Sequence, residues 1–269
     1  MEVDVSMNLL DRILGTKRAR LIAQKTEVPE SSLSEKAMAV RRLAKPHALV
    51  EALRNSDRVN IIAEFKRRSP SRGAIRENAD PVTIARRYQS AGAAAVSVLT
   101  EEDNFEGSLD DLRVIRDVVS IPILRKDFIV DDYQVYESAA AGADALLLIV
   151  AALDNQTLAR LLSVTETELG MDALVEVHTK NEMDRAVASG ATLIGVNNRD
   201  LRSFEVSTKT SLELVSYAPA NLVLVSESGL SPSDVPQLRA VGFKGFLVGE
   251  ALMRADDPER ELQLFLESF

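Results

Sequence analysis

Residues 219–250 read PANLVLVSESGLSPSDVPQLRAVGFKGFLVGE and contain one period of a pattern that runs through most of the chain. Two short apolar runs, Leu222–Val225 and Gly245–Val248, flank the segment Pro232–Val241, whose apolar residues recur three and four apart. Short runs of Val, Leu and Phe predict strands buried on both faces, and the three-and-four spacing predicts a helix. Start and stop signals frame that helix: Ser231 caps it ahead of Pro232, and Gly242 supplies a left-handed residue at its end. A helix between two such strands carries the chain back to its starting end, so the strands are parallel and joined by a right-handed crossover. Each run also ends in polar residues, Ser226-Glu227-Ser228-Gly229 and Gly249-Glu250.

Outward from this stretch the unit repeats. Further apolar runs lie at Asn60–Phe65, Ala95–Leu99, Ile121–Leu124, Ala145–Val150, Ala173–Val177 and Leu193–Val196, eight in all. Between them, Pro81–Ala91, Leu109–Val119, Tyr133–Ala141, Gln156–Leu169, Asn181–Ser189 and Thr208–Tyr217 have helical spacing. Asp80-Pro81 repeats the start signal, and Gly92, Gly142 and Gly190 repeat the stop. Eight parallel β-α units close on themselves, so the expected fold class is α/β, a (β/α)8 TIM barrel. A doubly wound open sheet is the alternative, but no Gly-x-Gly-x-x-Gly turn supports it. Residues 1–58 fall outside the cycle. There Ser6–Gln24, Ser34–Ala44 and Pro46–Arg54 look helical, with Pro29, Ser31, Ser32 and Ser34 marking a break. They are expected to form an N-terminal helical extension packed on the barrel of residues 59–269, being too short for a core of their own. The basic cluster Lys17–Arg20 is expected to be a solvated helix face.

Composition narrows the function. The 269 residues, 46% of them hydrophobic, can bury a full core. A formal net charge of −9 offers no broad positive field, so the arginines read as local sites and not as a nucleic-acid surface, while a small anionic substrate stays open. The absence of cysteine excludes disulfides, thiolate nucleophiles and thiolate-held metals. With only His47 and His178, a histidine-rich metal site is excluded too. No apolar run approaches the roughly 20 residues of a spanning helix, and Met1–Leu10 carries acids where a signal peptide carries bases. The expectation is a soluble, cytoplasmic monomer or weak homo-oligomer with no membrane partner.

In such a barrel the chemistry sits where strands end. Glu64-Phe65-Lys66 and Ser69-Pro70-Ser71 follow the first run, and Arg125-Lys126-Asp127-Phe128 the third. Glu176 and His178 end the fifth, and Asn197-Asn198-Arg199-Asp200 the sixth. One charged strand end is an ordinary salt bridge; burying so many together without function is costly. Ser228-Gly229 and Gly249-Glu250 stand where barrel enzymes hold phosphate, since glycine lets backbone N–H groups approach phosphate oxygens. Lys66 and Lys126, with Glu64 and Glu176 between them, suit a general acid and a base; two Lys–Glu pairs that merely neutralise each other satisfy the same spacing. His178 is expected to make a structural hydrogen bond, and His47 to be exposed. Phe105 and Phe128 can wall an aromatic substrate.

Together these strings are recognisable. Ala63-Glu64-Phe65-Lys66-Arg67-Arg68-Ser69-Pro70-Ser71-Arg72-Gly73 resembles the first-strand signature of the indole-3-glycerol-phosphate synthase family. Leu124-Arg125-Lys126-Asp127-Phe128-Ile129, Leu174-Val175-Glu176-Val177-His178, Gly195-Val196-Asn197-Asn198-Arg199-Asp200-Leu201, Ser226-Glu227-Ser228-Gly229 and Leu247-Val248-Gly249-Glu250 match in the same order. The resemblance implies closure of 1-(2-carboxyphenylamino)-1-deoxyribulose 5-phosphate to an indole ring, with loss of carbon dioxide and water and without a cofactor. It also implies roles. Lys126 resembles the general acid, Glu176 the base or charge stabiliser, and Lys66, paired with Glu64, the second lysine. Asn197 and Ser228 resemble sugar-hydroxyl partners, and Ser69 and Arg199 residues that handle the carboxylate or phosphate ends. Phe105, Phe128 and Leu147 resemble the apolar wall, and Gly229, Gly249 and Glu250 the phosphate loops. Glu250 departs from the serine of some relatives, so its side chain is expected to point away. A sister barrel such as phosphoribosylanthranilate isomerase, or a barrel that only binds a phosphorylated ligand, is the competing reading.

Overall fold

The computed structural model describes residues 9–70, 72–200 and 205–268. Eight strands form one closed parallel barrel: β1 (Ile61–Phe65), β2 (Ala95–Leu99), β3 (Ile123–Lys126), β4 (Ala145–Ile149), β5 (Asp172–Val177), β6 (Leu193–Asn197), β7 (Val223–Glu227) and β8 (Gly245–Val248). Each pairs with its sequence neighbours, and β8 returns to β1 with Ile62 opposite Leu247. The period of two along each strand divides its side chains. Ile61, Ala63 and Phe65 pack outward on the helices, while Ile62 joins an interior cluster with Leu124, Leu174 and Val225. Two residues beyond these four come Glu64, Lys126, Glu176 and Glu227, so alternation brings them to the same interior, one step nearer the mouth.

The outer layer follows from amphipathic segments with strong end signals. It comprises α4 (Pro81–Ala91), α5 (Leu109–Arg116), α6 (Asp132–Ala140), α7 (Asn155–Leu162), α8 (Lys180–Ala188), α9 (Lys209–Leu214), α10 (Val235–Ala240), α11 (Glu250–Arg254) and α12 (Pro258–Leu266). Asp80 accepts from the Thr83 N–H at 2.8 Å, capping α4 ahead of Pro81. Gly92, Gly142, Gly190 and Gly242 all take the positive φ that turns the chain back to a strand.

Before the barrel come α1 (Leu9–Glu27), α2 (Glu30–Arg41) and α3 (Ala48–Leu53). Leu49 and Leu53 of α3 are fully buried in the interior cluster and close its N-terminal end; truncating either to alanine is expected to cost about 2–5 kcal/mol. The Asp172 carboxylate, at the start of β5, accepts from Leu49 N at 2.9 Å and Val50 N at 3.0 Å. His47 is exposed, with Nδ1 3.1 Å from the same carboxylate.

Several boundaries differ from the sequence expectation. The third strand starts and ends two residues later than Ile121–Leu124, and the seventh runs on to Glu227 instead of ending at Val225. Polar Arg125, Lys126, Ser226 and Glu227 are ladder members, so apolar content underestimates strands that carry side chains for a site. The break after α1 is also shorter than expected, because α2 begins directly after Pro29 and the serines enter its first turns, with Ser34 Oγ bonding Ser31 O at 3.0 Å. A small hairpin, Arg68–Ser69 against Gly73–Ala74, was not foreseen, nor was α12. Residues 1–8, Ser71 and Leu201, which entered the expected helix, N-terminus and motifs, lie outside the described residues. Among the described residues, no helix is long and apolar enough to cross a membrane.

Candidate active site

A cavity of about 660 Å³ opens at the C-terminal ends of the strands. Its charged floor comes from four of them. The Lys66 ammonium, just past β1, lies 2.6 Å from Glu64 Oε1. On β3, Lys126 Nζ lies 3.4 Å from Glu176 Oε2 on β5 and 3.2 Å from Glu227 Oε2 on β7. Burial opposes the charge of Lys126, but Glu227, Glu176 and Glu64 outweigh it and raise its pKa above the ordinary lysine value. Burial likewise opposes ionisation of Glu176; Lys126, His178 and a hydrogen bond with Asn197 overcome it and hold its pKa below the usual range.

Glu227 goes the other way. Burial exceeds the attraction of Lys126, and nearby Glu176 adds to it, pushing the carboxyl up to about 7. Neither of its oxygens takes a hydrogen bond among the described residues. Room for this carboxylate depends on Gly195 of β6. A methyl there would fall on Glu227 Oε1, 3.1 Å from the carboxyl carbon and 3.3 Å from Leu174 Cδ1. Gly249 makes the same kind of space for Glu64, whose carboxyl carbon an added methyl would meet at 3.0 Å.

All fourteen residues singled out in the sequence border this cavity. Lys66, Glu64, Lys126 and Glu176 form the cluster above. Asn197 Oδ1 accepts from the Arg199 N–H at 3.0 Å. Ser69 is buried, and its hydroxyl has no hydrogen-bond partner among the described residues. Phe105 and Phe128 face each other at 6.3 Å between ring centroids, tilted by 41°, and with Leu147 give the cavity an apolar side. Phe105 owes its place to Glu101, which accepts from the Phe105 N–H at 3.0 Å and the Asn104 N–H at 2.7 Å. At the opposite end Ser228 and Gly229 both adopt positive φ, 69° and 67°. For serine that conformation costs on the order of 1 kcal/mol, and Asn198 braces it by donating to the Ser228 carbonyl at 3.2 Å.

Glu250 does not point away as expected. Its carboxylate lies 3.0 Å from Arg72 Nε and 3.6 Å from Arg199 Nη2, because an acid one residue past Gly249 comes within reach of the arginines that follow β1 and β6. The basic cluster on α1 is a solvated face only at Arg18. Lys17 is buried, 2.8 Å from Asp127 Oδ1 and 2.7 Å from Glu102 Oε2, and Arg20 binds Glu102 and Asp103. Asp127 also pairs with Arg125 at 3.1 Å and accepts from Thr100 Oγ1 at 2.6 Å. Burial opposes its charge, yet Arg125 and Lys17 bring its pKa down to about 2. These contacts hold α1 across the mouth, where Leu9, Leu10 and Ile13 line the cavity.

His178 makes the structural hydrogen bond expected of it, with Nδ1 3.2 Å from Glu182 Oε2, and its Nε2 lies 3.4 Å from Glu176 Oε1. Burial would lower its pKa, but Glu182 and Glu176 raise it above the ordinary value. Sequence reasoning missed Glu227, Lys17 and Glu101 as site-building residues. For Glu227 a signal existed: it stands two residues past inward-facing Val225, as Glu176 stands two past Leu174.

Comparison with known proteins extends this geometry. The profile of indole-3-glycerol phosphate synthase matches residues 10–265. The chain is 44% identical to indole-3-glycerol phosphate synthase of Carboxydothermus hydrogenoformans, over 96% of this chain and 99% of that one. It is 46% identical to the enzyme of the same name from Chloroherpeton thalassium, over 93% and 96%, and 48% identical to that of a Parafrankia species, over 94% and 93%. Among solved structures, thiamine phosphate pyrophosphorylase from Pyrococcus furiosus superposes with a TM-score of 0.60 at 14% identity, over 78% of this chain and 94% of that one. KGPDC from Streptococcus mutans superposes at 0.62 and 14%, over 79% and 97%. At such identity these two likenesses concern the fold alone.

Proposed function

The chain belongs to the indole-3-glycerol phosphate synthase family, and from that premise we propose how its cavity carries out that carboxy-lyase reaction of tryptophan biosynthesis. The substrate, 1-(2-carboxyphenylamino)-1-deoxyribulose 5-phosphate, lies with its ring on Phe105, Phe128 and Leu147 and its phosphate at Arg199, Ser228, Gly229, Gly249 and the Glu250 N–H. Ser69 offers its unpaired hydroxyl to the carboxylate end, and Asn197 holds the sugar hydroxyls. The ring carbon bearing the carboxylate attacks the ketose carbonyl carbon; a C–C bond forms, and Lys126 gives a proton to the carbonyl oxygen. Neighbouring carboxylates keep Lys126 protonated until then, the state a general acid needs. Positive charge on the anilino nitrogen is stabilised by ionised Glu176. Carbon dioxide leaves and its electron pair restores the aromatic ring.

Dehydration completes the indole. The new hydroxyl departs as water with a proton from Lys66, and a proton leaves the adjacent carbon to a carboxylate. The proton taken from carbon passes to Lys66 through Glu64, 2.6 Å away, and restores its ammonium, while Lys126 regains its proton from water. Holding ring carbon and carbonyl together against the apolar wall of Phe105, Phe128 and Leu147 supplies a large part of the rate. The chain acts in the cytoplasm on this small phosphorylated substrate, as a monomer or weak homo-oligomer, without nucleic acid or cofactor.

The observation that carries this proposal is the meeting of Lys126 with Glu176 and Glu227 beside an aromatic wall. Mixing the protein with the carboxyphenylamino-deoxyribulose phosphate should produce indole fluorescence; a protein that binds the compound and leaves it unchanged would exclude the proposal.

A further inference from the structure

An acid at the phosphate end of the cavity is out of keeping with anion binding, and its partners suggest why it is there. Glu250 splits its oxygens: Oε1 lies 3.0 Å from Arg72 and 3.8 Å from Arg254, and Oε2 lies 3.6 Å from Arg199. The three arginines come from separate places, the loop after β1, the end of α11 and the loop after β6, and all border the cavity with Glu250. Other acids of the cavity have different partners: Glu64 pairs with Lys66, Glu176 with Lys126 and Asp127 with Lys17.

We propose that Glu250 is a resident counter-ion, holding the arginine cluster together while no phosphate is present and being displaced from it by the phosphate of the substrate. The proposal rests on the phosphate reading of this end given above. The guanidinium groups of Arg72, Arg199 and Arg254 repel one another, and the Glu250 carboxylate, within 4 Å of all three, offsets that repulsion. A phosphate carries nearly twice the charge and three acceptor oxygens, so it outcompetes a carboxylate for the same donors. The existing pairs are partly open to water, with side-chain exposures of 58% for Arg72, 61% for Arg254 and 25% for Glu250. Such pairs contribute little to stability and exchange readily, so a merely structural role would gain the fold almost nothing. The consequence is kinetic as well as energetic: the site is pre-assembled when empty, and Glu250 stands ready to re-enter as phosphorylated product departs.

The test is competitive inhibition of turnover by inorganic phosphate, compared across wild type, Glu250→Gln and Arg199→Ala, with Glu250→Ala as a second charge-removing variant should the first fold poorly. Both Glu250 variants should bind phosphate roughly three- to tenfold more tightly than wild type, the size expected from removing a competitor held by partly exposed ion pairs. Unchanged or weaker phosphate binding in them, while Arg199→Ala still weakens it, overturns the counter-ion role and leaves the phosphate site standing. If phosphate does not compete at all, or Arg199→Ala has no effect on it, the phosphate reading fails and the counter-ion role with it.

Discussion

Replacing Glu227 by glutamine should change how stability depends on pH. Glu227 is 1% exposed, and its carboxyl is pushed from an ordinary 4.5 up to about 7, chiefly by burial. Between those values the folded protein holds a proton that the unfolded chain has released. Its contribution to stability is therefore complete below about pH 4.5 and is lost as pH rises through about 7. A difference of two to three pKa units corresponds to roughly 3 kcal/mol. Glutamine keeps the shape of the protonated acid and does not titrate. Glu227→Gln should therefore match wild type near pH 5 and exceed it near pH 8 by up to that amount. His178 also has a raised pKa, so it adds a loss of the same sign as pH rises, but it is present in both proteins and largely cancels in the difference. Urea unfolding at several pH values between about 5 and 8 measures this directly. Curves for the two proteins that run parallel would refute the argument that Glu227 is buried without adequate compensation.

Other perturbations probe the remaining contacts. Lys17→Met leaves Asp127 with Arg125 and Thr100 but without its α1 partner, and should cost about 3 kcal/mol and raise KM, measured by unfolding and steady-state kinetics. Gly195→Ala drives a methyl onto Glu227 and Leu174; about 1–3 kcal/mol of stability and most of the activity should be lost, whereas unchanged kinetics would show that the carboxylate's position is unimportant. Glu176→Gln should lower kcat by on the order of 10²-fold or more with the fold intact by circular dichroism; a melted protein instead would mark the Lys126–Glu176 pair as structural.

Much of this molecule is legible in its sequence because each β-α unit repeats the same instructions. Pro81–Ala91, Ala95–Leu99 and Gly245–Val248 emerge with the expected limits, since each is bounded by a cap, a glycine or a change of period. The ends of β3 and β7 were less legible, because Lys126 and Glu227 interrupt the apolar run while remaining in the ladder. Side chains that face the cavity could be named from their place at strand ends. Lys17 could not. Its burial depends on α1 lying over Asp127 and Glu102, residues more than eighty positions away, and nothing in a local basic cluster announces such partners. Glu250 misled for a related reason: an acid beside a phosphate loop reads as turned outward until the arginines around it are seen.

In the proposed mechanism Lys126, held protonated by Glu227, Glu176 and Glu64, delivers the proton that permits ring closure. Single-turnover fluorescence with Lys126→Ala tests it most directly, combined with titration of the same variant by the phosphorylated substrate. Binding should persist while the indole signal falls by about 10²–10⁴-fold. An indole burst at the wild-type rate would contradict the account.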